Sequence, residues 1–417
     1  MSNFRRERGS IALIPLGFLA LILAASAASA MRQVQPWTVL WAAPAILFAA
    51  VVIAWGAEAA QFFMAQGFAL AILALLQTLP EFAVEAVLAW HQQVAFLFAN
   101  LTGALRLLTG LGWPMIYFAA ATVHRKRTGK ALGCIRLHGH HSVEVMTLML
   151  PLIYMSVVAA KGSLTVWDGV VLIGIYAAYL FVLGKLPPED EEGIDELEAI
   201  PRAIVQSPRP RRIALIGLCF VVGGGLIYLT AEPFLLSLMA LAAAVGIPSF
   251  VFIQWVAPFV SEFPEMASTF YFARTVTKAP MALMNMVSSN INQWTLLAAM
   301  LPMLYSFSRG SVSPLVMDER QKLEILMTLG QALVGWLFLV NMELAWWEAT
   351  VLFVLWVTQF ALSAVTPDNP ASAVHGIHWY ITILYFVWAA WEMLRLVLGQ
   401  RKPLAFIEFA RVWREHV

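Results

Sequence analysis

Charge is the scarcest property of this chain. Of its 417 residues only 12% are Asp, Glu, Lys or Arg, about half the share found in soluble domains. That excludes a soluble enzyme of this size, and equally a disordered or fibrous chain. Cysteine is nearly missing too: Cys134 and Cys219 stand far apart, in no disulfide-scaffold or zinc-ligand spacing. Strand alternation is nowhere sustained, and the apolar runs are too long for barrel strands. No phosphate-cradling glycine loop and no nucleophile constellation occurs, so no enzyme is expected. With a net charge of +1 the chain offers no basic face for nucleic acid.

What is there is apolar: 61% hydrophobic residues and a mean hydropathy of +0.76. At about 20 residues per crossing, a chain of this length accommodates roughly ten to thirteen spans. Apolar runs predict twelve helices, at 11–31, 37–66, 67–90, 93–121, 142–160, 164–186, 211–246, 247–274, 281–308, 322–341, 344–366 and 375–400. The fold class expected is an all-α polytopic membrane protein. Counting twelve spans puts Arg5, Arg6, Arg8, the loop Arg125-Lys126-Arg127 and the C-terminal tail on one side. This is the positive-inside bias, with both termini cytoplasmic, as in a bacterial inner-membrane protein. The first helix also fits a signal peptide, since Arg5-Arg6 and an apolar run precede Ala28-Ser29-Ala30; cleavage there leaves eleven spans in the same orientation. Residues 187–210, with their acidic run Glu189 to Glu192, read as a solvated cytoplasmic linker. His124, Cys134, His138, His140 and His141 fall in a basic cytoplasmic loop that reads as solvated, with metal sensing as the alternative. His375, His378 and the 16 tryptophans read as packing or interfacial anchors.

Ionisable groups inside spans are costly and mark ion or substrate pathways. Two clusters stand out: Gln77-Thr78-Leu79-Pro80-Glu81 with Glu85, and Ser261-Glu262-Phe263-Pro264-Glu265. Each occupies the same relative place in its half. Proline removes a backbone donor and clashes with the carbonyl four residues back, so each helix should break there and expose hard oxygen ligands. Irregular backbone at membrane depth is tolerated where it lines a cavity. Carboxylates from opposed halves, with carbonyl and hydroxyl oxygens, suit calcium or sodium rather than softer metals. The alternative is a pair of proline kinks with structural glutamates. After each cluster comes an amide-bearing helix, with Asn100 in one half and Asn285 and Asn290 in the other. Five spans separate equivalent helices, so the halves are expected to be inverted repeats, the architecture of a secondary transporter.

On these motifs the chain resembles the calcium/cation antiporter superfamily, the sodium/calcium exchangers in particular. The lead-in Leu226 to Phe234 followed by Val245-Gly246-Ile247-Pro248 also looks like that family's. The resemblance covers about 42–186 and 211–366. It implies two inverted repeats of five helices, at 37–186 and 211–366, flanked by an extra helix in 1–36 and another in 367–417. It implies further that Glu81 and Glu265 are the two ion-binding glutamates. Thr78 and Gln77 take the hydroxyl places of the first repeat, and Glu262 and Ser261 those of the second. Ser289 and Gln293 match the later ligands once one residue is inserted before Asn285. Glu85, Asn100, Arg106, Asn285 and Asn290 are secondary candidates.

The chain also departs from the family. Gly103-Ala104-Leu105 replaces Gly-Ser-Asn, Leu108 stands where an amide belongs, and Glu262 replaces a small hydroxyl. Arg106 is a new cation, with two roles open to it: neutralising Glu85 or another carboxylate, or structural packing alone. Losing neutral oxygens counts against sodium coupling, and gaining Glu262 and Glu85 suits protons, because close carboxylates can exchange them. The function expected is exchange of calcium for sodium or protons by alternating access, with inorganic cations and the bilayer as partners. No resident cofactor and no protein partner is called for. The competing reading is a non-transporting membrane protein that retains the fold as a binding or structural module.

Overall fold

The computed structural model describes residues 35–62, 78–186, 197, 199–365 and 376–417. The helix expected at 11–31, the first part of that at 67–90, Gln77, the acidic run and His375 lie outside the described residues. The first half comprises α1 (Val39–Gln61), α2 (Leu79–Trp90), α3 (Val94–Leu107), α4 (Trp113–Thr128), α5 (Ser142–Lys161) and α6 (Val166–Leu183). A short α7 (Ala199–Val205) precedes the second half. That half comprises α8 (Arg209–Val245), α9 (Ser249–Ser261), α10 (Phe263–Ala273), α11 (Ala279–Asn292), α12 (Ala298–Arg309), α13 (Glu319–Leu339) and α14 (Trp346–Val365). The helices α15 (Ile377–Val397) and α16 (Leu404–His416) close the chain. Each span expected between residues 37 and 400 has a helical counterpart. Seven of the described helical stretches are long and apolar enough to cross a membrane by length and composition.

The halves repeat one another in detail. Helices α3 and α11 are each 14 residues long, and each runs into a five-residue π turn, Leu108–Gly112 and Gln293–Leu297, before α4 and α12. Such turns inside helices concentrate at functional sites. The two halves run in opposite directions, and two small antiparallel ribbons show it. Strand β1 (Cys134–Arg136), ahead of α5, pairs with β4 (Glu343–Ala345), which follows α13. Strand β2 (Ser163–Leu164), after α5, pairs with β3 (Leu315–Val316), ahead of α13. The start of α5 is thereby tied to the end of α13, and the reverse, so equivalent helices pack antiparallel.

Sequence dictates the breaks. Pro264 and Pro80 fall in the first turn of α10 and α2, where a missing N–H needs no partner. The run expected as one helix at 247–274 is accordingly split at Glu262, which ends α9 and begins α10. Close approach matters at Gly103: a Cβ built there would lie 1.9 Å from the carbonyl oxygen of Gln254. Only glycine lets α3 and α9 cross at that distance. One expectation needs correcting. The segment 187–210 is not solvated throughout, because Leu197, ahead of α7, and Ile204 and Val205 at its end are buried with Ala59 of α1.

Candidate functional site

The start of α2 after Thr78 and the break at Glu262 bring the two acidic clusters together in the interior. Glu81, in the first turn of α2, and Glu265, in the first turn of α10, are buried, as are Glu85, Glu262, Thr78 and Ser261. Glu262 stands beside both Glu81 and Glu265. Helix α11 and its π turn supply the neutral ligands. The Nε2 of Gln293 donates to Glu81 at 2.8 Å and to Glu262 at 2.9 Å, joining carboxylates of opposite halves. Ser289 donates to Glu265, and Asn292 donates to Thr78 at 2.6 Å. Ser261 donates to the carbonyls of Ala257 and Pro258, at 3.3 and 3.4 Å, at the end of α9. The C-terminal end of a helix is the negative end of its dipole, so α9 adds to the negative potential of the centre.

Oxygen atoms here are short of donors. Glu81 Oε1, Glu265 Oε2, Asn292 Oδ1 and Gln293 Oε1 are buried and receive no N–H or O–H. Buried polar atoms are nearly always satisfied, and stranding several together is costly unless a ligand meets them. A cluster of carboxylate and amide oxygens is the donor set of a hard cation.

The remaining expected residues divide. Glu85 accepts from Asn100 at 3.0 Å, one step along α2 from Glu81. Asn290 turns away from the carboxylates; its Oδ1 accepts from Trp113 at 3.1 Å. Asn285 is half-buried on α11 and joins none of these bonds. The arrangement is lopsided: Ser289 and Gln293 have Ala104 and Leu108 at the equivalent places of the other half.

Arg106 does not neutralise Glu85. Its Nη1 donates to Glu324 of α13 at 2.6 Å, and Gln254 of α9 donates to the same oxygen at 2.7 Å. The other oxygen lies 2.9 Å from Nδ1 of His378 on α15. The guanidinium also lies over the ring of Trp255, 5.4 Å from its centroid. All four polar side chains are buried. His378, expected as an interfacial or packing residue, is thus a member of a buried ionic cluster. Glu324 was absent from the expected set, although a buried arginine demands a counter-ion and this glutamate lies within an apolar helix. Gln254 and Asn292 were missed too; amides on apolar faces carry no signal of their partners. A second cluster pins α15: Arg401 pairs with Glu392 at 2.8 Å, with Glu348, and with the carbonyl of Phe338 at 2.8 Å.

The model of the sodium/calcium exchanger protein family matches residues 34–185 and 215–365, both halves of the chain. The chain belongs to that family. Among solved structures it is similar to the H+/Ca2+ exchanger CAX, with 28% identity, 97% of this chain and 98% of that one covered, and a TM-score of 0.84. It shares its fold with the Ca2+/H+ antiporter protein YfkE, at 13% identity, 85% and 99% coverage and a TM-score of 0.58. The sodium-calcium exchanger NCX_Mj is similar in fold at 17% identity, 78% and 96% coverage and a TM-score of 0.51. Among curated proteins no sequence matched. As in its family, this exchanger is an integral, multi-pass α-helical membrane protein.

Proposed function

We propose that this chain exchanges calcium for protons by alternating access, with Glu81 and Glu265 as the principal ligands and Glu262 as a proton carrier. The observation that carries the reading is the Glu81–Gln293–Glu262 bridge beside Glu265. It gathers three carboxylates, with Glu85 nearby, around buried oxygens that receive no donor. A divalent cation balances two of those charges. Close carboxylates in a dehydrated centre cannot all remain ionised when the cation leaves, so protons are the natural replacement. Sodium coupling would call for several neutral oxygens, and the first half offers Ala104, Leu105 and Leu108 on the helix whose counterpart bears Ser289, Asn290 and Gln293. Likeness to the H+/Ca2+ exchanger CAX, at 28% identity, supports the same choice.

Glu262→Ser separates the roles. It restores a small hydroxyl and leaves Glu81 and Glu265 in place. Calcium uptake into everted vesicles, driven by an imposed proton gradient, should fall to background in this variant while calcium binding to the purified protein persists. Sodium-driven uptake by the unaltered chain, with none from a proton gradient, would overturn the proton assignment. Absence of any gradient-driven calcium movement in well-folded protein would favour the non-transporting reading instead.

A further inference from the structure

A cluster of nitrogen ligands lies apart from the oxygen centre, and the exchange reaction does not use it. His138, His140 and His141 occupy one turn between β1 and α5, and their ligand atoms all lie within 4.8 Å of one another. Their rings sit 5.5 Å (His138 and His140), 5.2 Å (His138 and His141) and 4.3 Å (His140 and His141) apart, centroid to centroid. His141 is buried at the base of the turn, His140 is half-buried and His138 is exposed. The turn is thus open to water on the side of His138 and closed at His141.

Three things hold it. Upstream, the β1–β4 ribbon fixes Cys134 to Arg136. Downstream, the 3₁₀ turn Gly139–His141 leads directly into α5. On the outer side, α16 packs against the turn so closely that a Cβ on Gly139 would lie 2.7 Å from Glu408 Oε2 and 2.6 Å from Arg411 Nη2. That contact puts a carboxylate beside the backbone of the residue between His138 and His140.

We infer that this turn is a second, zinc-class metal site, selective for borderline divalent ions and distinct from the oxygen-only centre. Imidazole nitrogens suit zinc, nickel and cobalt, whereas calcium takes oxygen. Zinc–nitrogen bonds of about 2.05 Å in a tetrahedron place ligand nitrogens about 3.4 Å apart. Closing from within 4.8 Å to that separation is a shift of about 1.4 Å or less. His141 gives something up, because its Nδ1 accepts a hydrogen bond from the backbone N–H of His138 at 3.2 Å. Ligation through that nitrogen exchanges this bond for a metal bond. Three imidazoles leave a coordination position for water, while Glu408, beside the turn, is held by its ion pair with Arg411. Because α16 packs on the turn, occupancy would clamp the C-terminal helix to the start of α5.

The test uses the full chain in detergent, purified through a tag that contains no histidine. Zinc is titrated by calorimetry and cobalt by its visible absorption. One ion per chain is expected, with a nitrogen-rich cobalt spectrum and with binding that weakens on acidification, since the ligands must lose protons. Excess calcium should not displace it. H138Q/H140Q should bind at least about tenfold more weakly, while H416Q binds as before. None of these residues belongs to the oxygen centre, so retained calcium binding verifies that each variant is folded; H138Q and H140Q singly serve if the double variant is not. Unchanged zinc affinity in folded histidine variants, or no saturable binding by the unaltered chain, would overturn the inference.

Discussion

Removing Glu324 strands a charge. Arg106 is fully buried and its short ion pair is to this carboxylate, at 2.6 Å. Glu324→Leu keeps approximate volume, deletes that partner and leaves a guanidinium in a low-dielectric interior with the ring of Trp255 and the hydroxyl of Thr102 at 3.4 Å for company. Breaking a buried pair from one side costs about 3–5 kcal/mol. An unfolding entropy of about 2.1 cal/mol/K per residue gives about 0.9 kcal/mol/K for 417 residues. The loss then corresponds to a midpoint lowered by roughly 3–6 °C. Arg106→Met should cost less, because Glu324 keeps Gln254 at 2.7 Å and His378 at 2.9 Å. The double variant Arg106→Met/Glu324→Leu should recover most of the deficit, since exchanging a whole buried pair for apolar groups is often neutral. Thermal unfolding in detergent, followed by size-exclusion recovery, measures all three. Equal losses from the two single changes that simply add in the double variant would refute the pairing as the source of the effect.

Other perturbations have equally definite outcomes. Gly103→Ala drives a methyl into the carbonyl of Gln254, 1.9 Å away, so helices α3 and α9 must separate; folded yield should drop sharply, while Gly174→Ala, whose Cβ meets nothing within 4 Å, should leave it unchanged. Arg401→Ala uncovers Glu348 and Glu392 together and should lower the unfolding midpoint as much as Glu324→Leu; Arg401→Lys should restore part of it. Ser289→Ala removes a donor to Glu265 but no charge, so calcium binding should weaken by about 1–3 kcal/mol, roughly 5- to 150-fold by calorimetry.

Much of this was legible from residue order, and the limits have a physical pattern. The two Pro-Glu clusters were visible because each breaks a local rule: a proline and carboxylates inside an apolar run. Their matched places in the two halves exposed the repeat, and Ser289 and Gln293 followed from the resemblance to the exchanger family. What escaped was pairing across space. Arg106 announced a partner without naming it, and Glu85, 21 positions away, was no better placed by sequence than Glu324, 218 positions away. His378 was judged by its closeness to a span end, yet its side chain is buried against Glu324 of α13 while Trp379 and Tyr380 beside it are exposed. Helix α16 was read only as a tail, because its apolar side is short and its partner, the start of α5, is remote in sequence.

The most direct measurement is calcium binding by folded Glu81→Gln and Glu265→Gln. Each change preserves volume and removes one negative charge from a buried centre facing a divalent ion, so affinity should fall by several kcal/mol, a hundredfold or more. Calcium binding indistinguishable from that of the unaltered chain in both variants would contradict the assignment of this centre as the cation site.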